Sequence, residues 1–92
     1  MNENATEAAE IRAKVKQIIH EVTSLDLDGI ADNAHYKDDL GLDSLSILEI
    51  AVVVNYTFKL NLPENELPPV RTVKDTVELV QQILAKKAQA AV

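Results

Sequence analysis

The feature that most constrains this chain is the spacing of apolar residues near its two ends. Ala8, Ile11, Val15, Ile18, Ile19 and Val22 recur at i, i+3, i+7, i+10, i+11 and i+14, which lays them along one stripe of an α-helix. Glu and Lys fill the opposite face, so an amphipathic helix is predicted over about residues 6–22. Near the other end Val73, Val77, Val80, Ile83 and Leu84 repeat the pattern. Thr72 and Asp75 precede them as a T-x-x-D variant of the capping box, predicting a helix that runs to about Lys86.

The middle of the chain is ambiguous by composition and resolved by period. "IAVVVNYTF" is rich in β-branched and aromatic residues and suits a strand. On a helical wheel, however, Ile47, Ile50, Ala51, Val54 and Phe58 fall on one narrow face, and Asp43 is placed to cap the first turn. Each β-branched residue costs a helix roughly 0.5 kcal/mol, whereas burying a large apolar side chain returns about 1.5–3 kcal/mol. A helix is therefore predicted. The same wheel carries a second apolar stripe, Leu45, Leu48, Val52 and Tyr56, with Glu49 beside it, well over 100° from the first. That stripe either contacts the preceding loop or remains an exposed patch for a partner.

The connections carry information too. Residues 24–43 are too polar for a core element yet hold Leu25, Leu27, Ile30, Tyr36 and Leu40 as anchors. Loops beyond about 12–15 residues are usually functional or disordered, and these anchors favour an ordered one. "NLPENELPP" reads as a turn with at most one short helical turn, because Pro63 suits a first helical position and Pro68 ends it. The Ala-rich end is expected to fray.

Composition bounds the rest. Ninety-two residues, 47% hydrophobic and 26% charged, fit one small domain burying roughly two thirds of its unfolded surface. There is no cysteine, so neither a disulfide nor a thiolate metal site can form, and the cytoplasm is the expected compartment. No basic-then-apolar leader is evident, and "IAVVV" is far short of the ~20 residues that span a bilayer. The net charge is −6, but residues 24–66 alone carry −7: Asp26, Asp28, Asp32, Asp38, Asp39, Asp43, Glu49, Glu64 and Glu66 against Lys37 and Lys59. This argues against nucleic acid, whose phosphates would be repelled. It leaves a basic protein partner or a solubilising surface.

Ser44, in "KDDLGLDSLSILEI", is the candidate functional residue. Serine hydrolysis would want a G-x-S-x-G turn with a histidine and an acid in reach; here the local sequence is G-L-D-S-L, and His20 and His35 have no catalytic context. "SLDLDGIADNAH" imitates a calcium loop up to Gly29, but starts with Ser24 and ends on His35 where a bidentate Glu belongs. The plainest role is helix-start capping, by Asp43 or by Ser44 itself. Two cappers in succession leave one hydroxyl free at the positive end of a helix dipole, which favours an attached phosphate by roughly 0.3–1 kcal/mol.

"DDLGLDSLSILEI" resembles the modification-site motif of acyl carrier proteins. Asp39-Leu40-Gly41 before the D-S-L, the Leu45, Leu48 and Glu49 spacing after it, and the "TVKDTVELV" final helix extend the resemblance from about Ile11 to Leu84. It implies an all-α, four-helix bundle with a long first loop and a short third helix. The whole chain, residues 1–92, would be one carrier domain, with 1–5 and 87–92 as frayed tails. It further implies that Ser44 bears 4′-phosphopantetheine, taken from coenzyme A, with Asp43 as cap and motif residue. Leu45, Leu48, Glu49, Val52 and Tyr56 would meet a phosphopantetheinyl transferase and acyl-transferring and ketosynthase-type enzymes. Bound acyl chains would slip between helices at Ile47, Val54, Phe58 and Val80. A non-catalytic monomer in fatty acid, polyketide or related lipid biosynthesis is expected.

The chain departs from that pattern at "VVVNYTFK", where Asn55 and Tyr56 stand in place of the family's acids, so docking should be more apolar and the pathway specialised. The Gly-Gly-x-Ser pattern of peptidyl carriers is absent, which favours an acyl load. The competing class is a helical adaptor, never modified, that binds a partner through the Leu45/Leu48/Val52/Tyr56 stripe.

Overall fold

The computed structural model describes the backbone of residues 3–90 and the side chains of 7–63 and 65–86. Three α-helices make up the fold: α1, Glu3–Thr23; α2, Ser44–Thr57; and α3, Val73–Ala90. α1 packs against both others. The terminal helices extend beyond the predicted 6–22 and Lys86, because "ENATEA" and "KAQA" are mostly sound helix formers even without an apolar stripe. The segments expected to fray, 1–5 and 87–92, are thus helical in backbone from Glu3 and as far as Ala90, while Met1, Asn2, Ala91 and Val92 lie outside the described residues.

The expected fourth helix is only a 3₁₀ turn, Glu64–Glu66. Pro63 is fixed in an extended conformation ahead of it, and Pro68 biases Leu67 out of the helical region, which leaves room for one turn. A second 3₁₀ turn, Leu27–Gly29, interrupts the long first connection.

The core lies where the three stripes meet. Val15 and Ile19 of α1, Ile50 and Val54 of α2, and Val73 and Val80 of α3 are almost wholly buried. The long connection contributes Ile30, Ala34 and Tyr36 to the same cluster, with Leu25, Leu40 and Leu42 packed on its edge. Leu27, counted among the anchors, faces outward instead, because the 3₁₀ turn it opens buries none of its residues. Arg12 and Lys16 of α1 reach Asp32 and tie the connection down from outside. The Lys16 ammonium is the main reason that the Asp32 carboxyl is held below its usual range.

Helix ends follow their local chemistry. α1 stops at Ser24, left-handed at φ 66°, whose N–H returns to His20 O at 2.8 Å as a single αL cap. α2 ends in a Schellman arrangement: Leu60 N–H reaches Asn55 O (3.0 Å), Lys59 N–H reaches Tyr56 O (3.2 Å), and Lys59 takes φ 54°. α3 opens on the capping box foreseen from sequence. Asp75 N–H donates to Thr72 Oγ1 (3.0 Å), and Thr72 N–H donates back to Asp75 Oδ2 (3.2 Å).

Candidate functional site at the start of α2

The turn before Ser44 is built from backbone bonds and one glycine. Asp39 N–H and Leu40 N–H both donate to His35 O, Gly41 N–H donates to Lys37 O, and Leu42 N–H donates to Tyr36 O. Asp39 Oδ2 accepts from His35 N–H at 2.7 Å and locks the turn from the side-chain end. Gly41 sits at φ 68°, where an L side chain would be strained. The chain then enters α2 through Asp43, whose Oδ1 accepts from Ser46 N–H at 2.8 Å. That backbone bond is the first cause of a carboxyl held below its ordinary range.

With Asp43 acting as the cap, Ser44 is left over. It is exposed, and among the described residues its hydroxyl makes no hydrogen bond. It lines a cavity of about 320 Å³ together with Ile47, Leu48 and Ala51 of α2 and the 67–71 segment on the far wall. A free, outward-facing hydroxyl on the edge of a mostly apolar groove suits attachment of a phosphodiester-linked arm with an apolar portion.

The second stripe of α2 is exposed rather than covered by the long connection. Leu45 is 72% exposed, Leu48 49% and Tyr56 85%. Glu49 is exposed beside them, while Val52 is half-buried. The four residues assigned to an acyl pocket are dispersed. Ile47 lines the cavity next to Ser44. Val54 and Val80 are packed into the core at 1% and 0% exposure. Phe58 is half-buried, its ring 5.9 Å from the Lys14 ammonium. Sequence reasoning missed the far wall, Leu67, Pro68, Pro69 and Val70, because the proline pair was read only as punctuation; two adjacent prolines are also a rigid apolar surface.

Asn55, the departure noted at the end of α2, has a structural account. Its amide donates to Leu62 O (2.8 Å) and accepts from Leu62 N–H (3.1 Å), holding the exit connection with both ends. A carboxylate, which only accepts, could not do this. Elsewhere, His20 Nδ1 lies 2.7 Å from Leu25 O, and His35 Nδ1 accepts from Asp38 N–H, so both histidines are engaged with local backbone. Among the described residues no His, Asp or Glu cluster could hold a metal ion, and no helix is long and apolar enough to cross a membrane.

The chain can be placed among known proteins on this geometry. The family model for the phosphopantetheine attachment site matches residues 13–80. An acyl carrier protein of Rhodococcus erythropolis is 37% identical over 81 residues, 88% of this chain and 89% of that protein. A meromycolate extension acyl carrier protein of Mycobacterium leprae is 37% identical over 82 residues, 89% of this chain and 71% of the relative. Among solved structures, the apo doublet acyl carrier protein from prodigiosin biosynthesis superposes with a TM-score of 0.71 at 25% identity. That match covers 84% of this chain and 37% of the doublet's. Sequence over most of its length and a shared helical fold agree: the chain belongs to the acyl carrier protein family, whose attachment site holds a covalent 4′-phosphopantetheine.

Proposed function

We propose that this protein carries acyl groups on a 4′-phosphopantetheine arm attached to Ser44. The observation that supports this most directly is the division of labour at the start of α2: Asp43 supplies the cap, and Ser44 keeps an exposed hydroxyl with no partner among the described residues. In the attachment reaction Ser44 Oγ forms the new bond to phosphorus and loses its proton, while adenosine 3′,5′-bisphosphate leaves from coenzyme A. The attached group supplies a thiol that bears the acyl load as a thioester; the protein supplies address and shelter and catalyses nothing itself.

Leu45, Leu48, Glu49, Val52 and Tyr56 form the surface that meets the phosphopantetheinyl transferase and the acyl-transferring and ketosynthase-type enzymes. Its exposed leucines and tyrosine support an interface with an apolar centre, and the acids around it suit basic partners. The protein acts as a cytoplasmic monomer in which the Glu64–Glu66 turn takes the place of the bundle's short third helix. The names of the relatives, meromycolate extension among them, support a lipid-type acyl load. Tyr56 in place of an acid supports service in a specialised pathway rather than exchange with a general fatty-acid enzyme set.

Coenzyme A with a broad-specificity transferase is expected to add one phosphopantetheine to the intact mass, and Ser44→Ala is expected to abolish the gain. An unmodified mass after competent treatment would overturn the reading and leave the unmodified helical adaptor, whose binding would use the same exposed stripe.

A further inference from the structure

The first connection and the approach to α3 are laced together by backbone bonds. Tyr36 N–H donates to Arg71 O (2.9 Å) and Val73 N–H to Ala34 O (3.0 Å), with His35 and Thr72 opposite one another as an isolated antiparallel bridge. Beneath them the Tyr36 hydroxyl bonds Thr76 Oγ1 at 2.6 Å inside the core. This lacing brings two cations distant in sequence to one place. Lys37 and Arg71 both line the cavity that Ser44 lines.

Both side chains are exposed, and among the described residues neither forms an ion pair or a side-chain hydrogen bond. Of the carboxylates close in sequence, two are otherwise occupied. Asp39 accepts from His35 N–H at 2.7 Å and Asp75 accepts from the backbone of Arg71 and Thr72, while Asp38 forms an ion pair with neither cation among the described residues. Two cations left over at the edge of an apolar groove match a ligand with an anionic head and an apolar body. A phosphodiester on Ser44 is such an anion, and its point of attachment is in the same cavity.

We propose that Lys37 and Arg71 form a cationic rim that holds the phosphodiester on Ser44 and keeps the arm along the groove walled by Ile47, Ala51, Leu67 and Pro68. The Arg71 guanidinium offers a planar fork suited to phosphate oxygens, and Lys37 offers a point charge. This assignment rests on Ser44 as the attachment site and adds to it a resting position for the arm.

The test uses the full chain, loaded with phosphopantetheine and verified by intact mass, as wild type and as the Lys37→Gln/Arg71→Gln double variant. Both substitutions are at exposed side chains, and circular dichroism would confirm that the fold is kept. In the wild type, phosphorus NMR should show a resonance displaced from that of the same phosphodiester in the urea-unfolded loaded protein, and cross-peaks should join the arm's geminal methyls to Ile47 and Ala51. The variant should lose both the displacement and the cross-peaks. Raising salt on the wild type should weaken them in the same direction, as the screening length falls from about 10 Å at 0.1 M to about 3 Å at 1 M. Cross-peaks absent from the wild type, or retained undiminished in the variant, would overturn the rim. So would a variant that resists loading while wild type loads, since the pair would then be a transferase contact. No mass gain in the wild type is a separate result: it removes Ser44 as the attachment site, and the rim falls with it.

Discussion

The two apolar faces of α2 are made of similar side chains and have opposite fates. Ile50 and Val54 are at 0% and 1% exposure, in contact with the core, whereas Leu45 and Tyr56 on the other face are at 72% and 85%. Hydrophobicity alone does not separate them; the neighbours do, since Ile50 and Val54 join the core to which α1 contributes Val15 and Ile19, and Leu45 and Tyr56 do not. The buried face therefore carries stability and the exposed face carries none of it, which leaves the exposed residues free to serve binding. Truncation should expose the difference most sharply on the buried side. Ile50→Ala is expected to cost about 2–5 kcal/mol, read as a lower urea midpoint with an unchanged slope. Leu45→Ala should stay within about 0.5 kcal/mol of wild type. Equal costs at the two positions would break the comparison.

Tyr36 sharpens the buried side through pH. Burial is the main cause that pushes its phenol up to about 12 from an ordinary 10, partly offset by the Thr76 bond. A folded-state pKa above the unfolded one means that the folded protein holds its proton longer. The associated stability is complete below pH 10 and is lost as pH rises from about 10 to about 12, some 2–3 kcal/mol in all by the linkage relation. Tyr36→Phe should cost about 1 kcal/mol at pH 7, the usual net value of a hydrogen bond. It should also remove that alkaline decline. Thermal melts between pH 8 and pH 12 on both proteins would show whether the wild-type curve falls to meet the variant's and then crosses below it.

How much of this was legible beforehand varied with the kind of physics involved. The helix over 44–57 was recoverable because a face of Ile47, Ile50, Ala51, Val54 and Phe58 outweighs weak propensity, and the Asp43 and Thr72–Asp75 caps were recoverable because capping is local. The exposed state of the second stripe was not, because it depends on which neighbour arrives, and both outcomes share one sequence pattern. The degree of burial along the inner face was hidden for a related reason: a wheel shows that Val54 and Phe58 share a side, not that Val54 is fully packed against the core while Phe58 is half-buried. Lys37 was read only as a charge in a sum, and nothing in the sequence pattern joins it to Arg71. Their meeting at one rim comes from the Ala34–Val73 and Tyr36–Arg71 backbone bonds, which no periodicity reports.

The turn that aims Ser44 gives a smaller effect. A Cβ on Gly41 would meet nothing within 4 Å, so the penalty for Gly41→Ala is conformational alone, at φ 68°. About 1 kcal/mol is expected, and less for Gly41→Asn, because Asn tolerates the left-handed region. Measured by chemical denaturation, equal costs for the two variants would show that the turn does not hold its left-handed conformation in solution.

The smallest expected effect on stability is the most telling for the exposed face. Tyr56 is the most exposed large apolar residue of α2, and its neighbour Asn55 is held by Leu62 through its amide, so Tyr56→Ser removes surface area without disturbing the helix exit. Its unfolding midpoint should match wild type within about 0.5 kcal/mol. Loading by the transferase or acyl transfer by a partner should nevertheless slow, most visibly as a raised KM for the carrier, because a large aromatic is a frequent anchor of interfaces. Asn55→Asp supplies the control in the opposite sense. It keeps Tyr56 and loses the donor to Leu62 O, so it should lower stability while leaving partner affinity closer to wild type. If instead Asn55→Asp weakens docking and Tyr56→Ser does not, the recognition surface lies on the Asn55 side of the helix and the exposed stripe is merely solvated.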